Sequence, residues 1–265
     1  MTTKTAVPLV MACFALALLP PGRLQAQAEP DTALDGRWHF RIVPFFWATS
    51  IDGRGSLGGL PEVPLEVSFS QVVEKLDFGK LGRFEARRDR MGAGLDLIYL
   101  DLGADVAAEE PPPGLEGLTV DVRHLIVEGF GFYRAVSGGR DGAGYLDLLA
   151  GLRYTGTKKR LTDPEGAEIP GTKITLNWLD AMAGARFRVP LGARVGLCGR
   201  GDLAGFGSDL TWNAQGGLDL ALGRRWALGA EYRWLDIDYE SGEGPQRELF
   251  DVRYRGPYVW FSYSW

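Results

Sequence analysis

Charged side chains recur on one face of many alternating segments in this chain of 265 residues. Every second side chain of a β-strand shares a face, so a charge that alternates with apolar neighbours points away from the apolar side of its sheet. The residues that we assign to the charged faces are Arg83, Glu85, Arg87, Asp96, Asp147, Arg153, Asp180, Arg186, Arg200, Asp202, Asp219, Glu231 and Arg233. Enclosed in a protein, charges of mixed sign would pair and stabilise opposite walls, whereas around a continuous water path they would select ions.

Groups that could act as a catalytic base are scarce. His39 and His124 are the only histidines, and neither stands at a recognisable spacing from a nucleophile. Acidic residues are scattered rather than spaced as in a calcium loop, and no glycine-rich phosphate loop occurs. We therefore predict no catalytic, cofactor-binding or metal-binding residues and no enzymatic activity. The alternative, a surface protease or lipid-modifying enzyme, stays open.

Ten segments show the period-two alternation of half-buried strands. In the first, Trp38, Phe40 and Phe46 lie on one face, and Arg41 and Trp47 lie on the other. The ten predicted strands are residues 38–47, 78–88, 91–106, 118–136, 143–158, 172–189, 194–204, 210–222, 226–239 and 248–265. The alternation is weakest in 118–136, so eight or twelve strands stay open.

The connections between these strands alternate between short turns and longer loops, as at the two rims of an outer-membrane barrel. An even number of strands returns both termini to the rim of short turns. Many strands exceed the usual five or six residues, and tryptophans near strand ends fit interfacial girdles; these are Trp38, Trp212, Trp226, Trp234 and Trp265. The predicted fold is all-β, a transmembrane antiparallel up-and-down β-barrel of about ten strands. A soluble periplasmic β-sandwich that binds a ligand is the less favoured alternative.

The N-terminus predicts export. Lys4 precedes an apolar stretch from Ala6 to Leu19, and Ala26-Gln27-Ala28 fits the cleavage rule for a secretory signal. We therefore predict a signal peptide over 1–28 and one barrel domain over 29–265. Without 1–28, 27 basic and 34 acidic residues remain, a net charge of about −7 that argues against nucleic acid as a partner. The predicted location is the cell outer membrane.

The longest predicted connection, Asp52 to Asp77, is a candidate for a specific role. Ser68 and Gln71 fit a capping box, and Val72, Val73 and Leu76 would form one face of a helix too short to be stable alone. We expect this segment to fold over the mouth of the barrel, or into it as a constriction. An ordered surface loop is the alternative.

The last strand ends on an apolar face. Val259, Phe261, Tyr263 and Trp265 share that face, and a strand of this kind must pair with the first strand to close a barrel in lipid. The pattern from Tyr254 through Gly256, Val259 and Phe261 resembles the polar-x-Gly-x-x-apolar-x-apolar signal that the barrel assembly machinery recognises. We therefore assign Gly256, Val259, Phe261, Tyr263 and Trp265 to an assembly signal.

Several motifs resemble a family of Gram-negative outer-membrane β-barrel proteins, porin-like in architecture, whose function is largely unassigned. They are Pro44-Phe45-Phe46-Trp47 with Gly53 and Gly55, Val67 to Ser70, Leu76 to Gly79, Gly82 to Arg87, Asp96 to Leu102, Gly201 to Trp212, and Gly256-Pro257. Ala204 stands where the family commonly has glycine, and Trp265 where it commonly ends on phenylalanine. The resemblance implies the fold and location but supplies no active site.

We thus expect an integral outer-membrane barrel that is either structural or a narrow channel for small polar solutes or ions. The expected partners are outer-membrane lipid, including lipopolysaccharide, and the barrel assembly machinery. No cofactor is expected, and a monomer is the default oligomeric state.

Overall fold

The computed structural model describes residues 35–55, 63–70, 76–104, 119–138, 143–162, 174–243 and 247–265. Twelve β-strands lie in these ranges. They are β1 (Trp38–Trp47), β2 (Ser50–Gly55), β3 (Val63–Val67), β4 (Leu76–Arg88), β5 (Met91–Ala104), β6 (Thr119–Gly138), β7 (Gly144–Thr162), β8 (Ile174–Pro190), β9 (Val195–Gly205), β10 (Leu210–Ala221), β11 (Trp226–Ser241) and β12 (Glu248–Ser264). None of the described residues belongs to a helix that is long and apolar enough to cross a membrane.

Ten of these strands form a closed antiparallel ring. The sheet runs from β1 directly to β4, then in chain order to β12, and β12 pairs back with β1. The closing register runs from Arg41 opposite Ser264 to Trp47 opposite Tyr258. A ring leaves no open sheet edge in lipid, as a spanning sheet requires. The predicted ten-stranded barrel is therefore confirmed, and the β-sandwich alternative is wrong.

The prediction of one long loop between Asp52 and Asp77 is wrong in part, because this segment contributes two further strands. β2 continues the path of β1 along β12, with Ile51 opposite Tyr254, and β3 pairs with β2. This hairpin extends the wall rather than crossing the lumen. Phe69 and Ser70 are helical, whereas Gln71 to Lys75 lie outside the described residues and Leu76 already belongs to β4.

A bulge separates β1 from β2 and requires a glycine on the facing strand. The Ala48 amide donates to the Pro257 carbonyl at 2.8 Å. A Cβ atom placed on Gly256 would lie 1.9 Å from the Ala48 carbonyl oxygen, far inside van der Waals contact. Gly256, which we assigned to the assembly signal, thus also has a steric role in closing the wall.

Short connections gather at one end of the barrel, which we call the turn end. They join β4 to β5 at Asp89-Arg90, β8 to β9 at residues 191–194, and β10 to β11 at residues 222–225. The start of β1 and the end of β12 lie at this end too. This is the rim of short turns to which the even strand number was predicted to return both termini. The opposite rim, where β2 and β3 lie, we call the outer end.

The outer face of the ring is apolar for most of its height. Exposed side chains on this face include Ile42, Leu95, Leu148, Leu152, Leu179, Phe187, Leu197, Leu203, Leu218 and Tyr232. Aromatic rings cluster at the turn end, where Phe40 stacks on Trp38 at 6.3 Å and on Trp265 at 5.7 Å between centroids. Trp226 packs on Phe261 at 5.0 Å. Such a girdle is typical of a membrane interface.

Towards the outer end, the outer face becomes charged. Beyond Trp234, the outward positions of β11 are Asp236, Asp238 and Glu240, and Arg253 of β12 donates to Asp236 at 2.5 Å. Exposed ion pairs also join Arg123 to Asp101 and Arg54 to Asp251, each at 3.1 Å. Charged groups on this face belong in water, so the apolar band ends near Trp234 and the strands continue beyond it.

Candidate functional site

The lumen is built in three zones, which differ in chemistry. Nearest the turn end is a cavity, which we call the inner cavity; above it is a layer of paired charges, which we call the ion-pair layer; and towards the outer end is an apolar zone, which we call the apolar cap. The ion-pair layer consists of Arg83, Glu85, Asp96, Glu128, Arg134, Asp147, Arg153, Arg186, Arg200, Asp202 and Arg233.

One half of the ion-pair layer is centred on Glu128 and Asp202. Arg153 donates through Nε to Glu128 Oε1 at 3.0 Å and through Nη2 to Asp202 Oδ1 at 2.5 Å. Arg200 donates to the other oxygen of each carboxylate, at 2.7 Å to Glu128 and 2.8 Å to Asp202. The four side chains come from β6, β7 and β9 and are almost fully buried. They connect strands that are not neighbours in the sheet.

The other half is centred on Asp147. Arg134 donates to both of its carboxylate oxygens, at 2.7 and 3.1 Å, and Arg186 donates to Oδ2 at 3.0 Å. Arg186 also donates to Glu85 across the lumen, from β8 to β4. Arg83 and Asp96 continue the network on β4 and β5, with an Nη2 to Oδ2 distance of 2.5 Å.

Arg233 joins the ion-pair layer to the apolar cap. Its Nε donates to Asn213 Oδ1 at 2.8 Å, and Asn213 donates in turn to Asp202 at 2.9 Å. The guanidinium lies over the Trp47 ring at 4.7 Å and near Tyr258 at 5.8 Å from the centroid. An aromatic face can stabilise a cation at such distances. This buried charge is thus surrounded by one amide, two rings and the Glu128 carboxylate, whose Oε1 lies 3.9 Å from Arg233 Nη2.

The apolar cap fills the lumen towards the outer end. Its buried members are Phe45, Trp47, Ile51, Ile98, Leu100, Ile126, Leu176, Trp178, Leu235, Ile237, Phe250, Val252 and Tyr254. Val43, Tyr258 and Trp260 belong to the same hydrophobic cluster but line the inner cavity. Trp178 stacks on Tyr239 with centroids 4.2 Å apart. Leu235 and Ile237 have no exposed surface. The cap has the packing of a soluble protein core.

Asp180, which we assigned to the charged strand faces, stabilises a turn instead of joining the ion-pair layer. It lies inward and buried, but it accepts hydrogen bonds from the amides of Gly207 and Ser208, at 2.9 and 2.7 Å, and from Trp178 Nε1 at 3.1 Å. It therefore holds the tight turn between β9 and β10. Phe206 in this turn has a φ of 89° and is 98% exposed.

The inner cavity has a volume of about 140 Å³ and reaches from the turn end to the ion-pair layer. Arg188 forms a two-pronged ion pair with Asp219, with distances of 2.6 to 3.0 Å. Glu231 accepts hydrogen bonds from Gln215 at 3.0 Å and from the Trp260 indole at 2.5 Å. Arg41 donates to Ser262 Oγ at 3.1 Å and lies over Trp260. Cys198 also lines the cavity and is not in a disulfide.

The sequence-assigned charges thus fall into separate groups. Nine lie in the ion-pair layer, Asp219 and Glu231 line the inner cavity, Asp180 holds a turn, and Arg87 donates to the Asp89 carbonyl at 2.7 Å. Those in the ion-pair layer are Arg83, Glu85, Asp96, Asp147, Arg153, Arg186, Arg200, Asp202 and Arg233. Four of them, Arg83, Glu85, Arg186 and Arg200, also border the cavity.

Sequence reasoning missed Glu128, Arg134, Asn213 and Arg188. Glu128 and Arg134 lie on β6, whose two faces both carry apolar side chains, so the alternation there is weak. The register offered a signal for one of them, because Arg134 lies directly opposite Asp147 across the β6–β7 hairpin. Arg188 shares its face of β8 with Arg186, since the two are two residues apart.

The two histidines lie at opposite ends of the barrel. His39 is 2.9 Å from Asp35 at the turn end, and this hydrogen bond lowers the pKa of Asp35. His124 is buried in the outer half, 2.8 Å from Thr157 Oγ1 and stacked on Tyr254 with centroids 5.3 Å apart. No cluster of three or more His, Cys, Asp or Glu residues that could hold a metal ion occurs in the described part of the chain.

Neither a family model nor a curated protein matches the chain. Among solved structures, it is similar to the outer membrane protease OmpT from Escherichia coli, with a TM-score of 0.48, 7% identity, and coverage of 88% of this chain and 98% of that one. It is also similar to the translocator domain of the autotransporter NalP from Neisseria meningitidis, with a TM-score of 0.43, 16% identity and 97% of each chain covered. A Pseudomonas aeruginosa FadL homologue gives a TM-score of 0.37 and 10% identity over 87% of this chain and 90% of that one.

A closed ring of strands with an apolar outer band and charged side chains in the lumen is the architecture of a transmembrane β-barrel. This chain is a transmembrane antiparallel β-barrel of ten strands.

Proposed function

We propose that this protein is a structural outer-membrane barrel with a closed lumen, and not an enzyme. The observation that carries the proposal is the filling of the lumen by two successive zones. A water path would have to separate the paired charges around Glu128 and Asp202 and then pass the fully buried Leu235 and Ile237. Breaking buried ion pairs and wetting an apolar core are both costly.

The ion-pair layer supports this proposal because its charged groups are paired with one another. Six guanidinium groups and five carboxylates occupy it, and each carboxylate accepts at least one charged hydrogen bond. Groups that select ions in an open pore must instead exchange water and ions readily. The proposed role of these charges is to hold the wall of the barrel together.

Planar bilayers test the closed lumen. The purified barrel, folded as judged by heat-modifiable migration on gels, should add no stable conductance steps. An open porin reconstituted in the same way serves as the positive control. Stable steps from the wild-type protein would contradict the proposal and support a channel.

A narrow channel is the second candidate, and the inner cavity favours it. The cavity reaches into the lumen from the turn end as far as Arg200 and Tyr258. In that case the apolar cap would be the gate. Replacing the cap residues Leu235 and Ile237 by serine should then produce conductance that the wild-type protein lacks.

The proposed partners follow from the outer surface. The apolar band should contact membrane lipid, and the charged segment beyond Trp234 should lie among lipopolysaccharide headgroups. The C-terminal strand, with Val259, Phe261, Tyr263 and Trp265 facing outward, is the proposed signal for the barrel assembly machinery.

The protein is proposed to be a monomer; analytical ultracentrifugation in detergent tests this.

A further inference from the structure

We propose that the turn between β9 and β10 at the outer end is a lipid-contact site, and that the membrane boundary lies higher on this side of the barrel than along β11. Phe206, in this turn, is then an anchor in the layer between acyl chains and headgroups. The inference goes beyond the proposed structural role and does not depend on whether the lumen is closed.

Exposed apolar side chains surround this turn. They are Leu179 of β8, Leu203 of β9, Phe206 in the turn and Leu210 of β10, and we call them the turn patch. The turn lies close against β8, because a Cβ atom on Gly207 would be 2.5 Å from the Leu179 carbonyl oxygen. Exposed apolar patches of this kind mark contacts with a protein or a membrane.

The backbone of the turn holds Phe206 outward at an energetic cost. Its φ of 89° lies in the left-handed region, where glycine and asparagine are common and a bulky side chain is rare. Asp180 fixes this conformation by accepting hydrogen bonds from the Gly207 and Ser208 amides and from the Ser208 hydroxyl, the last at 2.9 Å. Strained residues that their surroundings hold in place are typical of binding sites. The strain at this almost fully exposed ring therefore favours a contact outside the protein.

The membrane is the occupant that the register favours. On the outer face, Leu210 lies directly opposite Asp238, and Trp212 lies opposite Asp236. The apolar surface of β10 thus continues past the level at which the outer face of β11 becomes acidic. It joins the lipid-facing band through uncharged outward positions, which are Ala214, Gly216, Leu218 and Leu220. Because the turn patch continues the lipid-facing surface, lipid covers both.

The length of the apolar run on β10 agrees with this assignment. The run begins at Leu222, whose amide donates to the Trp226 carbonyl at 2.9 Å, and ends at Leu210. At a rise of about 3.4 Å per residue and a strand tilt of about 40°, it extends about 30 Å along the barrel axis. The apolar run on β11, from Trp226 to Trp234, extends only about 20 Å. A hydrocarbon layer of about 30 Å therefore covers β10 up to the turn, and a tilt of the barrel accommodates the shorter run on β11.

Two matched nitroxide labels test the boundary. Leu210→Cys and Asp238→Cys, each made in a Cys198→Ser background, place labels on neighbouring strands at the same register. In phosphatidylcholine vesicles, the ratio of oxygen accessibility to nickel-chelate accessibility should be several-fold higher at 210 than at 238. A label at Phe206→Cys should resemble the label at 210.

Two outcomes of the label experiment would overturn the proposal. Equal ratios at 210 and 238, whether both labels lie in water or both in lipid, would remove the difference between the two sides. Labels at 206 and 210 that neither reagent reaches would show that a protein, such as a second copy of the chain, covers the turn patch.

Two substitutions at position 206 test the anchor. Phe206→Asn and Phe206→Asp introduce side chains of nearly equal size that both tolerate the left-handed conformation, so the variants differ mainly in charge. In phospholipid vesicles at neutral pH, the urea midpoint of unfolding should be lower for Phe206→Asp, because a carboxylate at the lipid boundary loses hydration. High ionic strength screens repulsion from the nearby Asp209. Equal midpoints would place residue 206 in water and contradict the proposal, and gel mobility confirms that each variant is folded.

Discussion

The two halves of this barrel differ in which side of the wall is polar: the lumen in one half and the outer face in the other. Within the apolar band, the outer face is apolar and the lumen holds the ion-pair layer. Beyond Trp234, the outer face carries ion pairs such as that of Arg253 with Asp236, and the lumen holds the apolar cap. One continuous sheet thus changes from a membrane-protein cross-section to a soluble-protein cross-section along the same strands.

This difference follows from the surrounding solvent. In lipid, there is no hydrophobic driving force for burying apolar side chains inside the lumen. The membrane half therefore depends on packing and on paired polar groups for its internal contacts. The outer half is surrounded by water, where burying the apolar cap is favourable. The comparison predicts that the two halves respond differently to substitutions.

The largest effect is expected in the ion-pair layer. Arg153→Leu would leave Glu128 and Asp202 each with one charged partner fewer in a buried site and should cost about 3–5 kcal/mol of unfolding free energy. Urea unfolding in phospholipid vesicles, followed by tryptophan fluorescence, measures it. Arg123→Leu, which removes the exposed pair with Asp101, is the control and should cost about 0–1 kcal/mol. Similar losses in the two variants would contradict the division between the zones.

A somewhat smaller loss is expected in the apolar cap. Leu235→Ala removes a fully buried side chain and should cost about 2–5 kcal/mol in the same assay. Leu218→Ala, on the lipid-facing side of β10, should cost less because lipid chains can fill the space. If the two costs were equal, the cap would not be packed as a protein core.

The smallest of the three effects concerns closure at the bulge. Gly256→Ala places a methyl group against the Ala48 carbonyl and should cost about 1–3 kcal/mol through forced displacement of the wall. Gly129→Ala is the control, since a Cβ there meets no atom within 4 Å. Assembly in cells separates the two roles of Gly256: a variant stable in vitro but poorly inserted would assign the glycine to the assembly signal instead.

The strands of the ring were predictable because alternation is a local property. The predicted ends of the strands at 38–47, 194–204 and 226–239 lie within two residues of the observed ones. The hairpin of β2 and β3 was not predicted. Gly53 and Gly55 interrupt the alternation of apolar and polar residues, so the pattern there indicated a loop. A signal peptide over 1–28 stays a prediction, since it lies outside the described residues.

The filling of the lumen that we propose was not predictable, although the faces of the strands were. Alternation places Asp96 and Ile98 on the same face of β5. It does not indicate the level along the barrel at which the outer face passes from lipid into water. Which charges pair is also a long-range property: Arg153 meets Asp202 across 49 positions of sequence. Only the closed geometry brings such residues together.

A nitroxide scan along β11 tests the central claim, the reversal of polarity around a closed lumen, most directly. Single-cysteine variants from Trp226 to Ser241, made in a Cys198→Ser background and reconstituted in vesicles, report accessibility to oxygen in lipid and to a nickel chelate in water. Outward labels up to position 234 should be accessible to oxygen, outward labels from 236 to 240 to the nickel chelate, and inward labels at 233, 235 and 237 to neither. Ready access of the nickel chelate to positions 233 and 235 would show a water-filled lumen and contradict the account.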